Sequence, residues 1–312
     1  MERGDCLMSG PTRRTFHVVT QRRWMVDELT AALVPAGWSV VAHHGLSALP
    51  PGVGHCPEHI LWCPSAFAAR EIVHGNLLRL AAPGPTWLPA ASIHFAVAGI
   101  PTGRLIALMS ARSAYRSPRT GFWKLAEAKL DSFPAKWRGS LQLRADIKAA
   151  GLPDDALLQM GDTRLSITRE YRAIVIGADV ASISSYLDPD GRDRSDPDFA
   201  EPDPAYAASA QHAADDFAIK IARQHPAGQA YSLDLAWTTS GWAVIEANPV
   251  WCSAWYGCDI PAFAEAVAVA QGLDVQDRFV WRPDALLVSR SVAAGPLPHD
   301  GGAAGSPHMY PV

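Results

Sequence analysis

The feature that most constrains this chain is the stretch from Tyr231 to Tyr256, where two apolar runs flank Thr239, Ser240 and Gly241. Residues 231–238 and 242–247 alternate as the arms of a β-hairpin. A three-residue loop ending in glycine suits a type I turn followed by a left-handed residue, which Gly241 supplies without steric cost. That loop pairs Thr238 with Trp242 and, counting along both arms, sets Asp234 opposite Glu246. Asn248 joins them, because residues two apart share a face of a strand. The other face, carrying Leu233, Leu235 and Trp237 against Ala243 and Ile245, is core. A loop one residue shorter or longer would put Asp234 and Glu246 on opposite faces.

Two carboxylates on one face of an apolar hairpin need a compensating cation, since desolvation and repulsion otherwise neutralise one of them. Asp, Glu and Asn offer the oxygen ligands Mg²⁺ prefers, and Mg²⁺ leaves its remaining positions to water and phosphate. The alternative is an open, solvated face on which Asn248 and Pro249 simply end the strand.

These residues resemble a known signature. Asp234-Leu235-Ala236, a turn, then Glu246-Ala247-Asn248-Pro249-Val250-Trp251, followed by Ser253 and Tyr256-Gly257, is similar to the C-terminal metal-binding signature of the ATP-grasp superfamily. The match is to compact bacterial ATP-grasp proteins with Glu-x-Asn-x-x-Trp in their last strands. The resemblance implies that Asp234, Glu246 and Asn248 hold the Mg²⁺ ions bridging the phosphates of ATP. It also implies an α/β fold: a small N-terminal parallel unit, then two lobes gripping ATP between antiparallel sheets.

At 312 residues the chain can bury a large core or divide into lobes. A net charge of −4 argues against a nucleic-acid partner. The cysteines Cys6, Cys56, Cys63, Cys252 and Cys258 form no regular framework, and their odd count fits reduced thiols. No apolar run approaches a membrane span, so the expectation is a cytoplasmic protein.

In chain order, residues 16–20, 38–42 and 59–63 read as strands, and 24–33 and 66–80 as helices, which suggests a parallel α/β unit. Gly37 closes the first helix. His43, His44, His55, Cys56, His59 and Cys63 crowd this region, but their spacing matches no four-ligand zinc pattern. Prolines and glycines at 83–85 and 101–103 mark turns around the apolar run 93–98, and 104–112 is expected to be helical.

Phe122 to Ala126 reads as a strand containing Lys124. A half-buried lysine needs an anionic partner, and a phosphate would serve; the alternative is a lysine whose stem covers Trp123 or Phe133 while its head stays in water. ATP-grasp relatives have a lysine strand, a short loop and Phe-Pro-Ala, here Phe133-Pro134-Ala135. The resemblance makes Lys124 a phosphate contact and Lys129 a second one, although Leu125 stands where those relatives have proline.

Residues 156–160 are expected to form the strand leading to the hinge, with Gln159 and Met160 as neighbours of the adenine. The strand 168–176 resembles the Glu-aromatic-Arg strand of the same relatives. There Arg172 would neutralise transferring phosphate or a substrate carboxylate, and Glu170, on the same face by parity, would orient it. An internal Glu170–Arg172 pair is the alternative. Residues 186–205 read as a loop, 207–224 as an amphipathic helix with Ala210, Ala214, Phe217 and Ile221 on its apolar stripe, and 261–272 as a helix. Residues 278–281 read as extended and 291–312 as a disordered tail.

The expected organisation is an N-terminal unit over 15–100, then an ATP-grasp domain over 101–290 with its small lobe at 101–165 and large lobe at 166–290. No Gly-rich phosphate loop and no nucleophile elbow is present, so ATP would rest on strand residues and metal. The activity implied by the resemblance is an ADP-forming carboxylate–amine ligase acting through an acylphosphate. Its cofactors would be ATP and Mg²⁺, and Arg172 and Lys124 its catalytic cations. Its partner would be a small-molecule or peptide substrate, with no nucleic acid or membrane, and a homodimer is compatible. Trp251, Ser253 and Tyr256 either line the acceptor pocket or pack beneath a turn. Other readings are a nucleotide- or peptide-binding protein without turnover and a phosphotransferase.

Overall fold

A computed structural model describes residues 14–43, 52–53, 56–76, 78–97, 106–187 and 204–296. Cys6, His44, His55, most of the 186–205 loop and residues 297–312 of the expected tail lie outside these.

The first unit is a parallel sheet. The β-branched run of β1 (Thr15–Val19) leads to α1 (Arg23–Leu33), which buries Met25, Leu29 and Leu33 one turn apart. Gly37, at φ 90°, ends the helix: Trp38 N donates to Leu33 O and Gly37 N to Val34 O. Next come β2 (Ser39–His43), β3 (His59–Trp62), α2 (Ser65–Val73) and α3 (Trp87–Val97). The strand order is β2-β1-β3, all parallel.

The second sheet is antiparallel and is built from β4 (Ile106–Ser110), β5 (Gly121–Leu125), β6 (Lys136–Arg138) and β7 (Leu157–Gly161). They run in the order β4-β7-β5-β6. The helices α4 (Ala111–Arg116) and α5 (Ser140–Ala149) cover one face, sharing a core with Trp123, Leu125, Leu158 and Met160. The helix expected over 104–112 is instead mainly β4. Its apolar run is short enough to serve either period, and pairing with β7 decides it. The expected 66–80 helix stops at Val73, and the run 93–98 falls within and just beyond α3.

The third sheet holds β8 (Ile167–Ile176), β9 (Asp179–Leu187), β10 (Ala230–Thr238) and β11 (Gly241–Asn248), in the order β11-β10-β8-β9. Tyr171, Ala173, Val175, Leu233 and Leu235 share a core with α3 and with α6 (Pro204–Gln224), through its Ala214, Ala218 and Ile221. The opposite face changes character along its length. Ile174 and Ala230 join the core of the parallel unit, which includes Phe263 and Val267 of α7 (Ile260–Val269). Further along the strands, the same face carries Arg172 and Asp234. Residues 278–281 are not a continuous strand: a 3₁₀ turn covers Asp277–Phe279, and Val280 bridges Ala81. The last helix, α8 (Ala285–Ala294), takes in the first four residues of the expected tail.

Candidate active site

The β10–β11 hairpin turns in two residues, Thr239 and Ser240, because Thr238 pairs with Gly241. The Thr238 hydroxyl accepts from Ser240 N at 3.1 Å and donates to Gly241 O at 2.8 Å, while Gly241 sits at φ 107°. A two-residue loop alone would separate the carboxylates. A β-bulge restores them: Leu235 pairs with Val244 and Asp234 with Glu246, leaving Ile245 as the extra residue. Asp234 therefore does stand opposite Glu246, by a different route from the three-residue loop. The core face accordingly carries Leu233 and Leu235 with Val244 rather than Ile245, and Trp237 is partly exposed.

Each carboxylate has its own cation. Arg172, beside Asp234 in the β8–β10 register, grips it with both arms: Nε to Oδ1 at 2.8 Å and Nη2 to Oδ2 at 2.7 Å. Its Nη1 donates to Ala254 O at 2.8 Å. These side chains are only 5% and 2% exposed, so the pair is fully desolvated. Lys124 reaches from β5 of the second sheet to Glu246 of the third, and both remain about a fifth exposed. Asn248 Nδ2 bridges the two acids, 3.1 Å from Asp234 Oδ2 and 2.8 Å from Glu246 Oε1. The compensating cations are thus Lys124 and Arg172 of the chain itself.

Electrostatics follow this geometry. Burial alone would raise the Glu246 carboxyl, but the Lys124 charge and hydrogen bonds from Lys124 and Asn248 hold it down at about 2. Burial also works against the charge on Arg172, yet Asp234 pushes that guanidinium further up. Glu170 is raised, chiefly by desolvation, with Asp234 and Glu246 adding to the effect and the hydrogen bond from Tyr186 opposing it. The Glu170–Arg172 pairing weighed from sequence gives way to Arg172–Asp234.

The remaining candidates divide. Gln159 pairs with Lys124 in the β5–β7 register and shares the face not covered by α4 and α5. Its Nε2 donates to Pro85 O at 3.1 Å, while its buried Oε1 has no partner. Met160 points the other way, into the core with Trp123, so its side chain does not join Gln159 at the site. Lys129 is exposed, yet close enough to Glu246 to favour its ionised form. Trp251 and Ser253 are packing residues rather than pocket walls: Trp251 Nε1 donates to Ala81 O at 2.8 Å and Ser253 Oγ to Pro249 O at 2.8 Å. Tyr256 does reach the site, its ring centroid 4.7 Å from Arg172 Cζ. Tyr186, at the edge of the expected loop, touches both Glu170 and Arg172; nothing in its Asp/Pro-rich neighbourhood signals this.

In the parallel unit, His17 stands between His43, at 3.1 Å, and His59, at 2.9 Å. Among the described residues, no three His, Cys, Asp or Glu side chains are grouped to hold a metal ion. The donors at the hairpin are two carboxylates and one amide. That chemistry fits Mg²⁺, which takes few carboxylates alongside substrate phosphates. Asn248 Oδ1 takes no hydrogen bond among the described residues. Asp234 is more committed, since its Oδ2 already accepts from both Arg172 and Asn248.

A family model for the ATP-grasp domain, the third family of its clade, matches residues 82–267, more than half of the chain. This chain belongs to that ATP-grasp family. The match begins at the link after the parallel unit and takes in both antiparallel sheets. Solved structures that resemble this ATP-grasp protein include the RimK domain protein ATP-grasp from Sphaerobacter thermophilus DSM 20745, at 15% identity and TM-score 0.44, covering 87% of this chain and 100% of that one. D-alanine–D-alanine ligase from Bacillus anthracis matches at 7% identity and TM-score 0.40, over 76% of this chain and 86% of that one. A RiPP-associated ATP-grasp ligase from Chryseobacterium gregarium, in complex with ADP and a leader and core peptide, matches at 9% identity and TM-score 0.36, over 82% and 95%. No curated protein sequence matches. At such identities the likeness concerns the fold and nothing finer.

Proposed function

We infer that this ATP-grasp protein is an ADP-forming ligase that joins a carboxylate to an amine, with an amino acid or a peptide as substrate. The observation that carries the reading is the meeting of Lys124 and Arg172, from two different sheets, on the face that holds Asp234, Glu246 and Asn248. Phosphoryl transfer asks a protein for positioning and fixed charge more than for covalent chemistry, and this face supplies both.

ATP would lie between the face bearing Lys124 and Gln159 and the face bearing Arg172. Lys124 gives a point charge to a phosphate, and Gln159 Oε1 offers a buried acceptor to the base. Mg²⁺, held by Glu246, Asn248 and the free side of Asp234, would neutralise phosphate charge. The substrate carboxylate attacks the γ-phosphorus, the bond to ADP breaks, and an acylphosphate forms. The amine then attacks the acyl carbon and expels phosphate, losing its proton to solvent or a nearby base. Arg172 stabilises the negative charge on the transferring group. No side-chain nucleophile is needed.

We place the ATP-grasp domain at 101–290 with a preceding unit at 15–100. Four described cysteines are free thiols, which supports a reducing, cytoplasmic setting. The test is to incubate purified protein with Mg-ATP and panels of amino acids and peptides, reading ADP and product mass. ADP release that requires a carboxylate and an amine together supports the ligase. A phosphorylated product alone would make it a phosphotransferase, and nucleotide binding without turnover would make it a binding protein.

A further inference from the structure

Two tyrosines frame the guanidinium of Arg172. Tyr186 lies near the end of β9, where pairing with β8 slips: Tyr171 pairs with Ser185 but Glu170 with Leu187, so Tyr186 is the extra residue of a bulge. Bulges re-aim side chains, and here the Tyr186 hydroxyl donates to Glu170 Oε2. Tyr256 comes from the loop after the 3₁₀ turn Val250–Cys252 and holds φ at 50°, the sole positive value among described non-glycine residues. That left-handed conformation is costly for a residue with a Cβ and persists where surrounding contacts impose it. The neighbouring Gly257 shows that glycine was within one position of carrying the turn.

The two rings stack at 4.5 Å with planes 9° apart, and Arg172 Cζ lies 4.7 Å from one centroid and 5.5 Å from the other. Three such similar separations close a compact triangle, so the guanidinium touches both rings. Three of its five N–H groups are committed to Asp234 and Ala254. Ala254 belongs to the same loop as Tyr256, so one segment supplies both a hydrogen-bond acceptor and a ring.

We propose that the Tyr186–Tyr256 stack, anchored by Glu170, is the positioning element for Arg172, fixing its plane so that the two uncommitted N–H groups meet the transferring phosphate. The role rests on the ligase reading of Arg172 given above. It assigns function to the bulge at Tyr186 and to the backbone conformation at Tyr256 together: each delivers one ring to the same cation. Neither ring is a catalytic group, because neither meets the reacting atoms.

Tyr256→Gly separates this role from packing, since glycine relieves the backbone while deleting the ring. Positioning predicts a kcat about 10- to 100-fold lower, an unchanged KM for ATP and no loss of thermal stability. Tyr256→Phe, which keeps the ring, recovers most of that kcat. A readout independent of turnover is the Arg172 ¹⁵Nε–¹H resonance, assigned by its absence in Arg172→Lys. It is slowly exchanging in wild type and in Tyr256→Phe, and exchanges rapidly in Tyr256→Gly. If wild type makes no ADP with any substrate, the ligase reading fails and the resonance still decides whether the stack holds Arg172. An unchanged resonance in Tyr256→Gly, an unchanged kcat, or a rise in KM alone overturns the proposal.

Discussion

Replacing Asp234 with asparagine keeps the shape of the side chain and removes its charge, leaving Arg172 buried with a neutral partner. Both side chains of the pair are at most 5% exposed, so water cannot take over. Breaking such a pair at one end costs about 3–5 kcal/mol, because the orphaned charge stays in low dielectric. For a protein of this size each kcal/mol moves the midpoint by about 2–4 °C, so Asp234→Asn should melt roughly 6–20 °C below wild type. Lys124→Met breaks a pair whose ends both reach solvent, and its cost should be only about 1 kcal/mol. Removing both charges, as Arg172→Met with Asp234→Leu, should recover most of the lost stability, while ADP formation stays absent. Thermal melts of the four proteins, paired with an ADP-release assay, measure all of this. An Asp234→Asn midpoint within about 2 °C of wild type, less than one broken buried pair allows, would refute the desolvated-pair argument. So would a double variant less stable than either single one.

Three further outcomes follow from the charges. Glu246 is held at about 2 against an ordinary 4.5, so its contribution to stability is complete above about pH 4.5 and is lost as pH falls towards 2. Denaturation midpoints across that range should show the loss in wild type and much less of it in Lys124→Met. His17 is pushed down to about 4 by burial, then by His43 and His59; its neutral form favours the fold, so stability should fall between about pH 6.5 and 4 and stay flat there in His17→Phe. Lys124→Met should remain folded at neutral pH by circular dichroism yet form no ADP.

Much of the site was legible because it depends on residue type at fixed spacing. Asp234, Glu246 and Asn248 share a face, and Lys124 sits on a strand where it needs an anion. The turn was not legible. Nothing in Trp242 to Glu246 marks Ile245 as a bulge, since the bulge answers to cross-strand registration with β10. Two departures, a shorter loop and an added residue, cancelled in parity and left the carboxylates together. The partner of Arg172 was equally hidden: sequence proximity favours Glu170, whereas the β8–β10 register selects Asp234, sixty-two residues away. The run at 104–112 shows the limit of periodicity, because a short apolar segment becomes a strand when β7 offers an edge. Met160 was one residue out of phase with Gln159, and in a strand that sends a side chain to the opposite face.

The central claim is that divalent metal and nucleotide are held together at the Asp234–Glu246–Asn248 face. Calorimetric titration of ATP with and without Mg²⁺, in wild type and in Glu246→Gln, tests it. The prediction is tight binding in wild type that depends on Mg²⁺, and loss of the Mg²⁺-dependent part in Glu246→Gln with its melting midpoint retained. Equal Mg²⁺-dependent affinity in both proteins would contradict it.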